Sequence, residues 1–462
     1  MVKYRNLIIV GILLSVAFVM RFHAAKSIFF VEDEIEHIKA ASNICFDLHK
    51  LRLPVGSKKV GNPLRATYFV RFAAIIFGSD KIALRLPFVF LGTLSLLFVY
   101  KLTSEYLDRE RGLLVLTILT FCQYHICFSR FISEVCVLLF FSILTLYFLL
   151  KTIYTGQKKW IYLIGAVMGV GFYGHPLLLL LAPCFIIFLM LYKVNNRWFI
   201  MKEMCKALLL TLILISPYLF WCYQNGFDKW INEHLLEIGF SFRTFNLYFG
   251  ETIAWLSEIF PDIFFYGHIP AKRGGFANID GKLKIIIDGS NEYPVVNWLL
   301  GILIIISFFY CLRKIDKREY LVVFSLVMFA FIFVITSIIS GGYSFDDHWW
   351  ATMSLYPGVI LFSTMAIDFK KKYYYARYLI YILILYFILN ALYIINMKES
   401  IFAMPKKVAC NYYLERDRKL LADKKMDEAT YRCDWILNHC SSAELINKTK
   451  GIIPCANLEN SH

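Results

Sequence analysis

Charged residues are scarce in this chain of 462 residues: Asp, Glu, Lys and Arg make up only 18% of it, whereas 59% is hydrophobic. The mean hydropathy is +0.58. A soluble protein of this length needs far more polar surface. The composition therefore argues against a soluble globular protein and predicts that most of the chain lies in lipid.

Two further features are missing. No pair among the twelve cysteines has metal-site spacing. The first apolar run, Leu7–Met20, follows Lys3 and Arg5 as in a signal peptide, but no small-residue cleavage site comes before Arg21. We therefore interpret this run as a retained first span.

Apolar stretches long enough to cross a membrane, or nearly so, recur along the whole chain. They fall near 5–23, 83–100, 113–128, 134–150, 160–173, 176–192, 207–223, 297–312, 319–340, 350–367 and 378–396. The sequence therefore predicts an all-α polytopic membrane protein with about 11 transmembrane helices.

Positive charge is unevenly shared between the two sets of loops. One set carries nearly all of it, at Lys3, Arg5, Lys101, Arg109, Arg111, Lys151, Lys158, Lys159, Lys193, Arg197, Lys202, Lys206, Arg313, Lys314, Lys317, Arg318, Lys370, Lys371, Lys372 and Arg377. By the positive-inside rule this face is cytoplasmic, with the N-terminus, and the C-terminal tail is extracytoplasmic. The net charge of +15 thus follows membrane topology and does not predict nucleic-acid binding.

The loops predict two domains, a transmembrane module at 1–396 and a tail at 397–462. The module has two large outer loops, 24–82 and 224–296, the second a lid or small subdomain. In the first, apolar residues recur every three or four positions from 34 to 51, as in a helix lying in the membrane interface. The tail holds four cysteines that suit two disulfides in an oxidising compartment, with the pairing open: Cys410, Cys433, Cys440 and Cys455.

Titratable side chains gather on the outer face. They are Glu32, Asp33, Glu34, Glu36, His37, Arg130, Glu134, His175, Asp346, Asp347 and His348, with Lys58, Lys59, Arg65 and Arg71 supplying positive charge. Such a set suits transfer from a lipid-linked phosphate, because cations bind the phosphate while a carboxylate deprotonates an acceptor hydroxyl or amine.

Each group also has a structural alternative. These are solvation of an interfacial helix for Glu32 and Glu36, headgroup anchoring for Arg130, a helix N-terminal cap for Glu134, a turn for His175, and lipid contact for Lys58 and Lys59. Asp346-Asp347-His348 resembles a metal-ligand cluster, but its consecutive spacing and single His argue against one.

Short motifs resemble those of the GT-C glycosyltransferases, in the branch of the protein O-mannosyltransferases and aminoarabinose transferases. They are Asp33-Glu34 after the first span, Asn62-Pro63-Leu64, Phe77-Gly78-Ser79-Asp80, Leu84-Arg85-Leu86-Pro87, Ser129 through Glu134, and Gly165 through Pro176. The resemblance implies a GT-C-like fold and a polyprenyl-phosphate-linked sugar as donor. The acceptor, whether protein, lipid or glycan, stays open.

The resemblance also implies roles for individual residues. Asp33 is expected to be the base of an inverting reaction, with Glu34 and Glu134 in the catalytic site. No cofactor is required, although a divalent metal is compatible. The chain has Glu36-His37 where the aminoarabinose branch has Arg-Tyr, and Asn62 where Lys is common. The expected phosphate contacts are therefore Lys58, Lys59, Arg65, Arg130 and His348.

Two other functions compete with this interpretation. A transporter or flippase of lipid-linked sugars would carry ionisable residues at mid-span and broken helix pairs, whereas here the ionisable residues lie in outer loops and we expect no broken pair. An outer-face lipid phosphotransferase would need a metal site or a nucleophile, and neither is plain.

Overall fold

The computed structural model describes residues 2–27, 34, 37–38, 41, 66–192, 194, 197–231, 275–279, 282–286, 294–315, 319–339 and 347–396. All of them belong to one compact unit, Met1–Met397. The tail at 397–462, with its four cysteines, and most of the loop at 224–296 lie outside the described residues. Their predicted features stay predictions.

Helices make up nearly all of the described residues. They are α1 (Val2–Ser27), α2 (Thr67–Phe77), α3 (Lys81–Tyr106), α4 (Arg109–Phe121), α5 (Gln123–Ser129), α6 (Glu134–Thr155), α7 (Lys158–Phe172), a 3₁₀ turn (Pro176–Leu180), α8 (Leu181–Leu191), α9 (Arg197–Ile231), α10 (Pro294–Leu312), α11 (Tyr320–Ile339), α12 (Asp347–Lys372) and α13 (Ala376–Asn396). The predicted helical class is confirmed, and each predicted apolar stretch falls on one or more of these helices.

The number of spans was counted from helix length and composition. Within the described residues, four helices are long and apolar enough to cross a membrane by themselves: Asn6–Lys26, Lys81–Tyr106, Glu134–Thr155 and Thr352–Lys372. Helices α4 and α5 give a fifth if they count as one bent span. The count of about 11 therefore stays a prediction.

Two features of the predicted outer loop 224–296 were not foreseen. Helix α9 continues to Ile231, past the predicted end of its span at 223. Strands β1 (Gly275–Ile279) and β2 (Lys282–Ile286) pair antiparallel, with Gly275 opposite Ile286. The all-α prediction therefore missed a short hairpin.

Local signals in the sequence set the helix ends. The Asp108 carboxylate accepts the backbone N–H of Arg111 at 2.8 Å and so caps α4. Ser133 caps α6 by accepting the N–H of Val135 at 3.1 Å. Helix α6 ends where Gly156 adopts a left-handed conformation, with φ +64°, and its N–H bonds the carbonyl of Thr152.

A break at Cys122 divides α4 from α5, and the two helices meet at 60°. Cys122 is extended, with φ −67° and ψ 119°. The expectation that no broken helix pair occurs is therefore wrong. The run from 113 to 128 reads as one apolar segment, and nothing in its sequence marks the break with Pro or Gly.

Small residues let α7 approach α9 closely. A Cβ atom on Gly165 would overlap the carbonyl oxygen of Ala207 and lie 3.0 Å from the Cα of that residue. The Thr211 hydroxyl donates to the Gly165 carbonyl at 3.0 Å across the same contact. Close backbone approach through small residues and hydroxyl bonds is how helices associate in lipid, where no hydrophobic force drives them together.

We predict that Gly165→Ala lowers stability, because the added methyl meets fixed backbone and overpacking costs about 1–3 kcal/mol. The measurement is the thermal unfolding midpoint of the purified protein in detergent. Gly11→Ala is the matched control, since nothing lies within 4 Å of a Cβ at that exposed position in α1. Equal midpoints for the two variants would contradict the close packing of α7 on α9.

Candidate functional site

A buried ion pair joins the acidic cluster of the first outer loop to α3. The Arg85 Nε donates to Glu34 Oε1 at 2.7 Å, and its Nη2 donates to Glu34 Oε2 at 2.5 Å. Both side chains are fully buried. The pairing is bidentate, the arrangement in which a planar guanidinium matches a carboxylate best.

The same two side chains bind two further segments. Arg85 Nη1 donates to the carbonyl of Ala25 at 2.7 Å, in the last turn of α1, where helix carbonyls lack partners within the helix. Glu34 Oε1 accepts the backbone N–H of Ile132 at 2.9 Å. The ion pair therefore holds the end of α1, the first outer loop, the start of α3 and the loop between α5 and α6 at one point.

His37 forms a second link from the first outer loop. Its Nε2 lies 3.2 Å from Glu134 Oε1, and its Nδ1 lies 3.2 Å from the hydroxyl of Thr67. The Nε2 of His37 can donate to the Glu134 carboxylate, while its Nδ1 shares a hydrogen bond with the Thr67 hydroxyl. Glu34, His37, Ile38 and Ala41 are helical, which agrees with the interfacial helix predicted from Glu34 onward.

Arg130 and Glu134 flank the loop that Glu34 holds. Arg130 is only 1% exposed, so the alternative of a headgroup anchor at the membrane surface is wrong. Burial lowers the pKa of the Arg130 guanidinium from its ordinary value, with Glu34 and Arg85 close enough to act on its charge. Glu134 is the first residue of α6, while Ser133 provides the cap, so Glu134 is not the N-terminal cap. Arg130 and Glu134, both predicted site residues, are thus buried beside the first outer loop.

The other predicted site residues lie elsewhere or outside the described residues. The His175 Nδ1 accepts the N–H of Leu177 at 3.2 Å, which confirms its interpretation as a turn residue. His348 is the second residue of α12, and its side chain is outside the described set. Glu32, Asp33, Glu36, Lys58, Lys59, Arg65 and Asp346 also lie outside the described residues.

The sequence analysis missed a third buried cation, beside Arg85 and Arg130. Arg21 is fully buried, and its guanidinium donates to the carbonyls of Leu119 at 3.2 Å and of Ala17 at 3.0 Å, and lies 3.0 Å from the Nδ1 of His125. The His125 Nε2 lies 3.0 Å from the hydroxyl of Ser95. Arg21 therefore binds the end of α4, where the break at Cys122 frees carbonyl groups.

Arg21 lies near the end of the first predicted span, 5–23, and not at mid-span, where no ionisable residue was expected. A charge so placed in an apolar run is itself the signal, since such residues are rare in lipid unless a partner holds them. Among the described residues, no group of three His, Cys, Asp or Glu side chains is arranged to hold a metal ion. The site residues described here hold each other through charge-assisted hydrogen bonds.

This arrangement brings Glu34, the residue after Asp33 in the sequence, together with Arg130 and Glu134. The Glu34 carboxylate is fully engaged and buried, so its chemistry is to position the chain. Glu134 keeps a carboxylate 7% exposed and oriented by His37, and Arg130 adds a buried cation. A carboxylate and a cation held beside an acidic loop are the groups that stabilise and deprotonate reactants in transfer from a phosphate.

Comparison by sequence gives one family match. The profile of the dolichyl-phosphate-mannose-protein mannosyltransferases matches residues 61–221. That range contains Arg85, Arg130 and Glu134 and begins after Glu34. No curated protein matches the chain.

Comparison by structure gives matches over nearly the whole chain. Archaeal oligosaccharyltransferase AglB from Archaeoglobus fulgidus, in complex with an inhibitory peptide and a dolichol-phosphate, aligns with 93% of this chain and 59% of its own at 14% identity, with a TM-score of 0.55. The same enzyme, tethered to an acceptor peptide, aligns with 92% and 59% at 15% identity, with a TM-score of 0.54. ArnT from Cupriavidus metallidurans, bound to undecaprenyl phosphate, gives 78% and 60% at 13% identity, with a TM-score of 0.44.

The AglB likenesses establish the fold and not the activity, since identity is low. The fold is that of the GT-C glycosyltransferases, as the sequence motifs predicted. This chain spans 59% of the length of the archaeal enzyme.

We predict that Arg85→Met lowers the free energy of unfolding by about 3–5 kcal/mol, because it leaves the Glu34 carboxylate buried without its cation. The measurement is thermal unfolding in detergent. Arg109→Met, at an exposed arginine with no ion pair among the described residues, is the control and should change little. Adding Glu34→Gln to Arg85→Met should cost less than the two single changes summed. Equal stability of Arg85→Met and Arg109→Met would contradict the ion pair.

Proposed function

We propose that this protein is an integral-membrane glycosyltransferase, from the GT-C fold and from the buried residues around Glu34. It moves a sugar from a polyprenyl-phosphate carrier to an acceptor on the extracytoplasmic face. The family match at 61–221 supports a sugar-transfer reaction, since it covers Arg85, Arg130 and Glu134. The archaeal enzyme with the same fold was solved with a dolichol-phosphate, which supports a lipid-linked donor.

The observation that carries the proposal is the Glu34–Arg85 pair. It fixes Glu34, the residue that directly follows Asp33, against Ile132 in the loop that Arg130 and Glu134 flank. A base must be held within hydrogen-bond reach of the proton that it removes, and a flexible loop does not hold one. The Glu34–Arg85 pair would hold the base by fixing the residue next to it in the sequence.

In the proposed reaction, an acceptor hydroxyl or amine attacks the anomeric carbon of the sugar. Its proton passes to the Asp33 carboxylate as the new bond forms. The bond between the anomeric carbon and the phosphate oxygen breaks on the opposite side, which inverts the configuration. The polyprenyl phosphate leaves with the electron pair, and because phosphate is a stable anion no strong general acid is needed.

The remaining residues take supporting roles in this proposal. The residues assigned to the donor phosphate are Lys58, Lys59, Arg65, Arg130 and His348, and Glu134 shapes the acceptor or donor site. No metal is required. The topology is that expected from the sequence: about 11 spans, a cytoplasmic N-terminus, and an extracytoplasmic tail at 397–462.

The break at Cys122 is the observation that favours a transporter of lipid-linked sugars, since transporters use broken helices. In transporters, however, the freed backbone groups line a cavity. Here Arg21 binds the carbonyls before the break, and both Arg21 and His125 are fully buried. We therefore interpret the break as a packed element and keep the transferase as the proposed function.

We predict that Asp33→Asn lowers sugar transfer by about 10²–10⁴-fold, the usual contribution of a general base. The assay follows a radiolabelled polyprenyl-phosphate sugar with purified protein, and thermal unfolding verifies the fold. Glu32→Gln is the matched control, since it removes a neighbouring carboxylate expected to be solvated. Wild-type activity in Asp33→Asn would refute the assignment of the base, and equal losses in both variants would refute its specificity.

A further inference from the structure

We propose that the junction of α12 and α13 forms a binding site for the headgroup of an anionic phospholipid. The site consists of Lys372, Tyr373, Tyr374, Arg377 and Tyr378, and we call it the basic junction. It lies at the C-terminal end of α12, whereas the start of α12 lies at the opposite end of the bundle. It is separate from the candidate active site. The inference does not depend on the proposed sugar transfer.

Among the described residues, the carboxylates near the basic junction are already engaged. Asp108 and Asp368 both pair with Arg111, and Asp368 Oδ2 also accepts the hydroxyl of Tyr310 at 2.9 Å. Glu110 pairs with Lys370. Lys371 lies 3.5 Å from Asp108. These pairs tie the start of α4 to the end of α12.

Several cations remain beyond those pairs. No ion-pair partner among the described residues is found for Arg109, Arg313, Lys372 and Arg377. The contacts of Asp108 with Lys371 and of Tyr310 with Asp368 link the segments that carry these cations. The surface therefore carries an excess of positive charge at a membrane boundary. Each cation near such a boundary favours anionic lipid.

Exposed tyrosines contact two of these cations, Lys372 and Arg377. Tyr373, Tyr374, Tyr375 and Tyr378 are 46%, 59%, 79% and 46% exposed. The guanidinium of Arg377 lies 3.4 Å from the ring centroid of Tyr374, and its Nη2 donates to the Tyr378 hydroxyl at 3.1 Å. The ammonium of Lys372 lies 5.0 Å from the Tyr373 ring centroid. Tyrosine is the residue type that sits at the headgroup level.

The surface next to the basic junction identifies the occupant as a lipid. Leu379, Ile382 and Leu385 follow on α13 and are 68%, 64% and 55% exposed. They form an aliphatic strip that begins directly beyond Arg377. A phospholipid presents a phosphate and acyl chains in the same order, whereas a free phosphate would use only the cations. The N-terminus of α13, which starts at Ala376, adds partial positive charge at the headgroup.

The test measures lipid affinity by native mass spectrometry. Delipidated protein is titrated with phosphatidylglycerol and, separately, with phosphatidylcholine of the same acyl chains. The wild type should bind phosphatidylglycerol more tightly. Lys372→Gln with Arg377→Gln should lose about thirtyfold in that affinity, from about fivefold for each cation. The affinity for phosphatidylcholine should not change.

Lys158→Gln with Lys159→Gln is the matched control. These two lysines are also exposed and also lie over aromatic rings, of Phe199 and Trp160. Equal phosphatidylglycerol affinity in the two double variants would overturn the proposal, as would a wild type without preference for phosphatidylglycerol. Displacement of the lipid by millimolar inorganic phosphate would overturn the choice of a lipid over a free anion. If the double variant does not fold, the single change Lys372→Gln, with its expected fivefold loss, gives the same test.

Discussion

One buried ion pair, between Glu34 and Arg85, fixes the geometry of the outer end of this protein. Neither side chain is exposed, and each also bonds backbone, at Ile132 and Ala25. Removing two charges from water is expensive, and a pair of apolar residues often stabilises a protein as well. The pair is therefore better explained by specificity than by stability. It fixes one arrangement of four chain segments, because a charge shifted away from its partner would be buried alone.

The rest of the bundle supports that arrangement by two other means. Glycines let α7 and α9 meet backbone to backbone, as at Gly165 and Ala207. The break at Cys122 turns α5 by 60° toward the loop that Glu34 holds, and Arg21 binds the carbonyls that the break leaves free. Burying a guanidinium in an apolar run is tolerable only because so many acceptors surround it. The direction of α5, and with it the position of Arg130, depends on Arg21.

The sequence predicted the helices well and the contacts poorly. Apolar runs of sufficient length mark spans because lipid leaves few alternatives to a helix, so each predicted stretch lies on helix. The break at Cys122 carried no local signal, since it lacks Pro or Gly. The hairpin at 275–286 did carry one, because Asp280-Gly281 stands between its two strands, and the sequence analysis did not use it. The position of Arg21 in an apolar run was a signal too, but its bonding partners depend on the fold. Arg85 was recognised as part of a motif, but its partner lies 51 residues away in sequence, and pairing at that distance depends on the fold. For Arg130 a headgroup anchor was the alternative to a phosphate contact, and its burial excludes that alternative.

These constraints converge on a site beside Asp33, where a proposed base, a buried cation and an oriented carboxylate would surround a lipid-linked donor. The most direct test of that account is equilibrium binding of undecaprenyl phosphate and dolichyl phosphate to the purified protein. A variant with Lys58, Lys59 and Arg65 changed to alanine is compared with the wild type. The account predicts saturable binding of at least one of the lipids, weakened in the variant. Absence of binding to both lipids in the folded wild type would contradict it and leave only the shared fold.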